Sequence, residues 1–192
     1  MQSSAKNQII VAVVGLIGSG KTEAVARFTE RGFGRVGFND VVLKDEMPRR
    51  GLAWNEKNER AVREELRAQD GMGVMAKRSL PKVESALRDG KNIVVESLYS
   101  WDEYKIMKER FGEQFRTLAI YAPPEIRYKR LAARPIRPLS LENAISRDYA
   151  QIENLDQAGP IVMADWTTEN IGTKEELLAA VDKIIDAAQK KL

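Results

Sequence analysis

Residues 13–25, VVGLIGSGKTEAV, carry an apolar stretch straight into three glycines, a lysine and a threonine. Ahead of the glycines, residues 8–14 are continuously apolar after Gln8 and rich in β-branched side chains, as in a strand buried on both faces of a parallel sheet. After them, residues 21–31 have a helical period that closes at Gly32. A core strand that feeds a helix through glycines must bend sharply at the edge of a sheet. Glycines let successive backbone N–H groups converge on one centre there, and the helix adds the positive end of its dipole.

That centre is suited to an anion. Gly15, Gly20, Lys21 and Thr22 fit the spacing GxxxxGK[ST], with Gly18 and Ser19 inside the pattern and Glu23 directly after it. In this arrangement the backbone cradles a triphosphate, the lysine reaches its outer phosphates and the Thr22 hydroxyl ligates Mg²⁺. Gly15, Gly18, Ser19, Gly20, Lys21, Thr22 and Glu23 are therefore the expected nucleotide contacts. The alternative is a glycine-rich turn ahead of an ordinary helix.

Composition narrows the remaining chemistry. Cysteine and histidine are both absent, which removes disulfides, thiolate metal sites, Ser/His/Asp catalysis and ordinary zinc chemistry. Carboxylates, lysine, arginine, hydroxyls and bound cations are left. The formal charge of +3 is too small to suggest a general nucleic-acid or membrane surface. The apolar run at residues 9–17, with Lys6 before it, has some likeness to a signal peptide, but it continues into an amphipathic segment and is too short to span a bilayer. A soluble cytoplasmic protein is expected.

Further strands are expected at residues 33–38, 92–96, 117–122 and 165–169, and helices at 55–69, 80–88, 101–111, 124–133, 141–155 and 173–190. Strands alternating with helices predict an α/β fold with a parallel sheet of about five strands flanked by helices. With 43% apolar residues, the 192 positions can bury one core, so residues 1–192 are expected to form one domain. The i to i+4 charge pairs within residues 55–69 read as a solvated helix face. The break RPIRP, residues 134–138, looks like the start of a mobile element.

Several charged residues are placed for phosphoryl chemistry. NIVVES is a second apolar strand that ends in Glu96, at the sheet edge where ligands bind; Glu96 either holds Mg²⁺ or only leads into the next turn. Arg127, Arg130 and Arg134 recur at i, i+3 and i+7, followed by Arg137 and Arg147. They form either a solvated stripe or a set that closes over transferred charge while excluding water. Arg49 and Arg50 either hold an anionic part of an acceptor or lie on an exposed loop. Tyr99 and Trp101 either stack on an acceptor base or belong to the core.

The glycine motif, the second acidic strand and the late arginines resemble the P-loop NTPases, and among them the small kinases: nucleoside monophosphate kinases and dephospho-CoA kinase. The likeness covers most of the chain. It implies a P-loop NTPase fold with a helical acceptor-binding segment at about residues 40–90 and a helical lid at about 134–150. It implies that Asp40 faces the acceptor hydroxyl, although Asn39 or Asp40 could instead cap a short helix. The stretch ADWTTENIGTKEELLAAV resembles the end of dephospho-CoA kinases, and by that likeness Asn170 and Gly172 border the adenine. Lys21, Asp40, Arg134, Arg137 and Arg147 are the implied catalytic residues, Thr22 and Glu96 the metal ligands, ATP and Mg²⁺ the cofactors.

Two family features are missing. Where nucleoside monophosphate kinases have an Asp-Gly-aromatic-Pro-Arg run, this chain has ESLYS, and the Pro-Leu-Leu-aromatic-Glu run of dephospho-CoA kinases is also absent. The expected activity is transfer of the γ-phosphoryl group to a small nucleotide or nucleotide-like acceptor. The rivals are a nucleotide-dependent switch, for which no NKxD guanine-reading motif occurs, and a nucleic-acid end kinase, against which the small net charge counts.

Overall fold

The computed structural model describes residues 8–190; residues 1–7, including Lys6 ahead of the first strand, and residues 191–192 lie outside the described residues. In chain order the elements are β1 (Ile10–Val14), α1 (Lys21–Glu30), β2 (Gly34–Gly37), α2 (Phe38–Arg49), α3 (Glu56–Asp70), α4 (Val74–Arg88) and β3 (Ile93–Glu96). They continue as α5 (Trp101–Phe111), a 3-10 turn (Gly112–Gln114), β4 (Phe115–Tyr121), α6 (Pro124–Ala132), α7 (Leu141–Glu153), α8 (Ala158–Val162), β5 (Trp166–Glu169) and α9 (Lys174–Lys190).

Every residue of β1 is buried because the strand lies in the middle of a parallel sheet of order β2-β3-β1-β4-β5. Its alternation is read by two cores. Ile10, Ala12 and Val14 pack with residues of α2 to α5, while Val11 and Val13 pack with α1 and α9 through Phe28, Val181 and Ile185. A strand covered on both faces needs apolar residues at every position, hence the unbroken run. The chain adds strands first on one side of β1 and then on the other, so a crevice opens at its carboxyl end.

Three helices depart from the expected elements. α2 begins directly where β2 ends, with Phe38, Val42, Leu43, Glu46 and Met47 buried, so Phe38 is a helical residue and not the last of a strand. Its N-cap is Gly37 and no side chain caps it; Asp40 sits in the first turn, so neither Asn39 nor Asp40 takes the capping role. α4 starts six residues before the expected position and keeps Pro81 in its interior. Burial of Met75, Ala76, Val83 and Leu87 along one face, with Val74 buried at the first turn, outweighs a cost of roughly 3 kcal/mol for an internal proline. α8 was not expected at all.

Helices α2, α3 and α4 are tied by charge. Glu46 on α2 accepts hydrogen bonds from Arg49 (2.6 Å), Arg50 (2.8 Å) and Arg78 of α4 (2.7 Å), and Arg50 also reaches Glu65 of α3 at 2.8 Å. Burial works to raise the Glu46 pKa, but the three arginines outweigh it and hold the carboxyl at about 2. Arg50 therefore braces α2 against α3, while the largely exposed Arg49 pairs within α2.

Ser100 and Glu103 form a reciprocal capping box at the start of α5, with Glu103 fully buried. Burial pushes its carboxyl up to about 7, against the pull of Arg67 and two backbone N–H groups. A carboxyl with a raised folded pKa binds its proton more tightly folded than unfolded, so its contribution is most favourable at low pH and declines as pH rises from about 4.5 to 7. Glu103→Gln is expected to gain on the wild type across that window, by on the order of 2–3 kcal/mol, and to hold a constant advantage above it. Urea titrations at pH 5 and pH 8 measure the difference; a pH-independent gap between the two proteins contradicts it.

Candidate active site

The loop after β1 takes its shape from backbone that side chains would block. Gly15, Gly18 and Gly20 have φ of +142°, +82° and +104°. A Cβ on Gly15 would overlap the Ile120 carbonyl oxygen, and one on Gly20 would overlap Nδ2 of Asn170. Gly20 also serves as the N-cap of α1 and offers no side chain, so the first-turn amides are left open to a ligand. Nζ of Lys21 turns back to donate to the carbonyls of Gly15 at 2.6 Å and Leu16 at 2.9 Å. Burial of this ammonium, reinforced by Arg127 and Arg134, lowers its pKa to about 8, with Glu96 and Asp148 opposing the shift. Thr22 is exposed, whereas Ser19 is buried with an unpartnered Oγ.

Residues from the last third of the chain hold this loop from behind. Arg127 is 2% exposed and donates to the carbonyls of Ala122 and Ile17, each at 3.0 Å, and to both oxygens of buried Asp148 at 2.8 and 2.6 Å. Tyr128 donates to the same carboxylate at 2.8 Å. Gln157, also buried, donates to the Gly15 carbonyl at 3.0 Å, and Ile17 N–H donates to Oε1 of Gln151 at 3.3 Å. Nδ2 of Asn170 donates to the Ser19 carbonyl at 2.8 Å. Arg130 donates to the Asn170 carbonyl at 2.9 Å, to its Oδ1 at 3.2 Å and to the Gly172 carbonyl at 3.4 Å.

Arg127 is thus neither on a solvated stripe nor part of a lid: it is the buried half of an ion pair. Asn170 has its amide oxygen and nitrogen engaged by Arg130 and Ser19, which places its side chain behind the loop. Gly172 is exposed nearby, and Glu23 forms an ion pair with Lys174 at the start of α9. Gln157, Gln151 and Asp148 carry no motif, and their importance is visible only in three dimensions.

Two carboxylates meet at the strand ends. The register sets Gly37 of β2 opposite Glu96 of β3. Arg35 donates through Nε to Glu96 at 2.7 Å and through a terminal nitrogen to Asp40 at 2.7 Å, so one guanidinium links both acids. Sequence reasoning missed Arg35; its only signal was a charge inside the short strand GRVG. Among the described residues no group of three acidic side chains is arranged to hold a metal ion, so a cation at Glu96 would depend on other oxygens.

The segment between α6 and α7 carries Arg134 and Arg137, both exposed, the latter at φ +54°. Arg137 pairs with Glu56 of α3 at 3.0 Å, and Arg147 of α7 reaches the same carboxylate at 3.5 Å. This arm is therefore tied to α3, and Arg134 remains near enough to Lys21 to lower its pKa. Trp101 is partly buried, stacks on Tyr104 with centroids 4.9 Å apart and packs against the core, the second of its two expected roles. Tyr99 is half-buried between these groups.

Residues 11–153 match the AAA domain family. Over 187 residues the chain is 34% identical to a UPF0200 protein of Thermococcus kodakarensis, covering 96% of this chain and 100% of that one. The chain is a UPF0200 protein with an AAA domain. Among solved structures, this UPF0200 chain is similar to shikimate kinase from Bacteroides thetaiotaomicron, with a TM-score of 0.58 and 13% identity over 93% of this chain and 98% of that one. It is similar also to dephospho-CoA kinase from Campylobacter jejuni, with a TM-score of 0.56 and 18% identity over 95% and 98%. The UPF0200 fold is accordingly that of the P-loop small kinases.

Proposed function

We propose that this UPF0200 chain is a cytoplasmic, Mg²⁺-dependent kinase that moves the γ-phosphoryl group of ATP to a small nucleotide or nucleotide-like acceptor. The observation that carries the reading is the pairing of Arg137 and Arg147 with Glu56, because it bridges the segment after α6, whose Arg134 acts on Lys21 of the cradle, to α3. A switch protein has no need for such a bridge.

In this reading the backbone of Gly15, Gly18, Ser19 and Gly20, with Lys21, holds the triphosphate, and Glu23 and Gly172 lie at its margin. Asn170 acts by keeping the cradle in shape. The exposed Thr22 hydroxyl and Glu96 hold Mg²⁺, which supplies positive charge against the phosphate oxygens. Asp40, fixed by Arg35, orients the acceptor hydroxyl. Arg134, Arg137 and Arg147 stabilise the transferred charge and keep water out.

Incubation with ATP and a metabolite panel, followed by mass spectrometry, tests the proposal. Acceptor-dependent turnover with a product heavier by one phosphoryl group is the expected result, and slow hydrolysis indifferent to every acceptor would replace it with the switch reading. Arg137→Ala should reduce kcat by about 100-fold with a much smaller change in KM for ATP. A pure KM effect would assign Arg137 to binding instead.

Lys21 provides a further check. Near pH 8 about half of its ammonium groups are neutral, and an arriving triphosphate favours the charged form. Nucleotide binding at pH 8 should therefore take up a fraction of a proton, giving calorimetric enthalpies that depend on the ionisation heat of the buffer. At pH 6.5, where Lys21 is already charged, its share of that dependence should vanish, as a comparison with Lys21→Ala would show.

A further inference from the structure

A cavity of about 300 Å³ lies between the glycine loop, the end of β4 and helices α6, α7 and α8. Its walls are mostly apolar, built from Leu16, Ile120, Ile152, Ile161 and Val162. Ile152 and Val162 are 41% and 80% exposed, so the apolar wall continues to the surface and gives the cavity a mouth. Lys21, Thr22, Arg130 and Asn170 are not among the described residues that line it. It is therefore a second space, which shares with the phosphate cradle only the loop wall of Gly15, Leu16 and Ser19.

One polar group of that wall is unmet. Ser19 is 1% exposed, and its Oγ has no hydrogen-bond partner. Arg127 also lines the cavity, but its Nε, Nη1 and Nη2 are engaged by the carbonyls of Ala122 and Ile17 and by Asp148. The Gly15 carbonyl already accepts from Lys21 and from Gln157. A buried hydroxyl left unmet is costly and calls for a partner. One water, whose share of liquid volume is about 30 Å³, can meet the hydroxyl but leaves most of the space against apolar walls.

Size and chemistry define the occupant. A cavity of roughly 150 Å³ holds benzene, so twice that volume admits about a dozen non-hydrogen atoms. An ion is excluded, because the charge of Arg127 is already matched by Asp148 and burial of an unpaired charge is prohibitive. Rings suit the space better than a chain, since they lose less rotational freedom on binding. α8 meets the loop through Gln157, which donates to the Gly15 carbonyl at 3.0 Å while its own Oε1 is buried without a partner. A molecule in the cavity touches α8 and the loop together and adds contacts on the side of the loop that the cavity leaves without neighbours.

We propose that this cavity is an effector site for an uncharged one- or two-ring molecule bearing a hydroxyl, which pairs with Ser19 and braces the glycine loop so that nucleotide binds more tightly. Occupancy of the cavity does not depend on the kinase reading. Only the coupling rests on the loop being a nucleotide cradle.

Two pairs of probes test it, phenol with benzene and 2-naphthol with naphthalene, the members of each pair differing only in the hydroxyl. Titrations are followed by ¹H–¹⁵N NMR at the backbone amides of Leu16 and Ser19. Saturable shifts of both are expected, with the hydroxylated member of at least one pair binding about fivefold tighter than its counterpart. Ser19→Ala should bring the two members to equal affinity. Ala158→Phe, which adds a ring to the cavity wall from an exposed position of α8, should abolish the shifts. Calorimetry with a non-hydrolysable ATP analogue and magnesium should give a Kd about fivefold lower when the tighter probe is saturating, and the analogue should tighten the probe by the same factor. The site is wrong if no probe gives a saturable shift, if neither pair prefers the hydroxyl, or if binding survives Ala158→Phe. Probe binding that leaves the analogue's Kd unaltered would overturn the effector role. An analogue that fails to bind at all would count against the kinase reading alone, since the titrations without it still report on the cavity.

Discussion

Lys21→Ala is expected to lower phosphoryl transfer by about a thousandfold, the largest effect on activity of any single change in this protein. Its ammonium, held 2.6 Å from the Gly15 carbonyl and 2.9 Å from that of Leu16, is fixed at the mouth of the cradle before any ligand arrives. A charge already in place costs little reorganisation when the γ-phosphoryl group moves. Lys21→Arg should rescue little, because a planar fork cannot occupy a position built for a point donor between two carbonyls. Initial rates at saturating ATP measure the loss. Urea unfolding should show no loss beyond about 1 kcal/mol, because removing an ammonium whose burial lowers its pKa also removes a desolvation cost; retention of more than a tenth of the activity would remove Lys21 from its proposed role.

The largest expected effect on stability is Asp148→Ala. Truncation strands the Arg127 guanidinium in a site where both partners are buried, and it deprives Tyr128 of its acceptor. Breaking a buried pair in this way costs about 3–5 kcal/mol. The double change Arg127→Met with Asp148→Ala should recover part of that loss, because no unpaired charge remains. Equilibrium unfolding of the three variants separates the contributions. An Asp148→Ala protein as stable as the wild type would mean that the guanidinium finds another partner or reaches solvent.

Legibility in the sequence followed sequence distance. β1, the glycine bend and α1 are adjacent in the chain, and their residue types are dictated locally by two-sided burial and by positive φ. The pattern therefore pointed to the cradle directly. Arg35 meets Glu96 across 61 positions, and Gln157 meets Gly15 across 142, so neither contact leaves a local imprint. Arg127 looked like one member of a surface stripe because its partner, Asp148, is 21 residues away on another helix. Pro81 misled for a different reason. It has the properties of a first-turn residue, yet the apolar face running from Met75 to Leu87 keeps the helix continuous through it.

The braces behind the glycine bend have a consequence for biosynthesis. In synthesis residues 15–22 come well before the residues that hold them, since the braces from Arg127, Gln157 and Asn170 span separations of 110, 142 and 151 positions. Until those segments are added the bend has neither its rear supports nor the partner strand β4 beside it. A nascent chain should therefore acquire nucleotide affinity abruptly, once residue 170 has been added, and fragments that stop short of it should lack that affinity even though they contain the whole glycine motif.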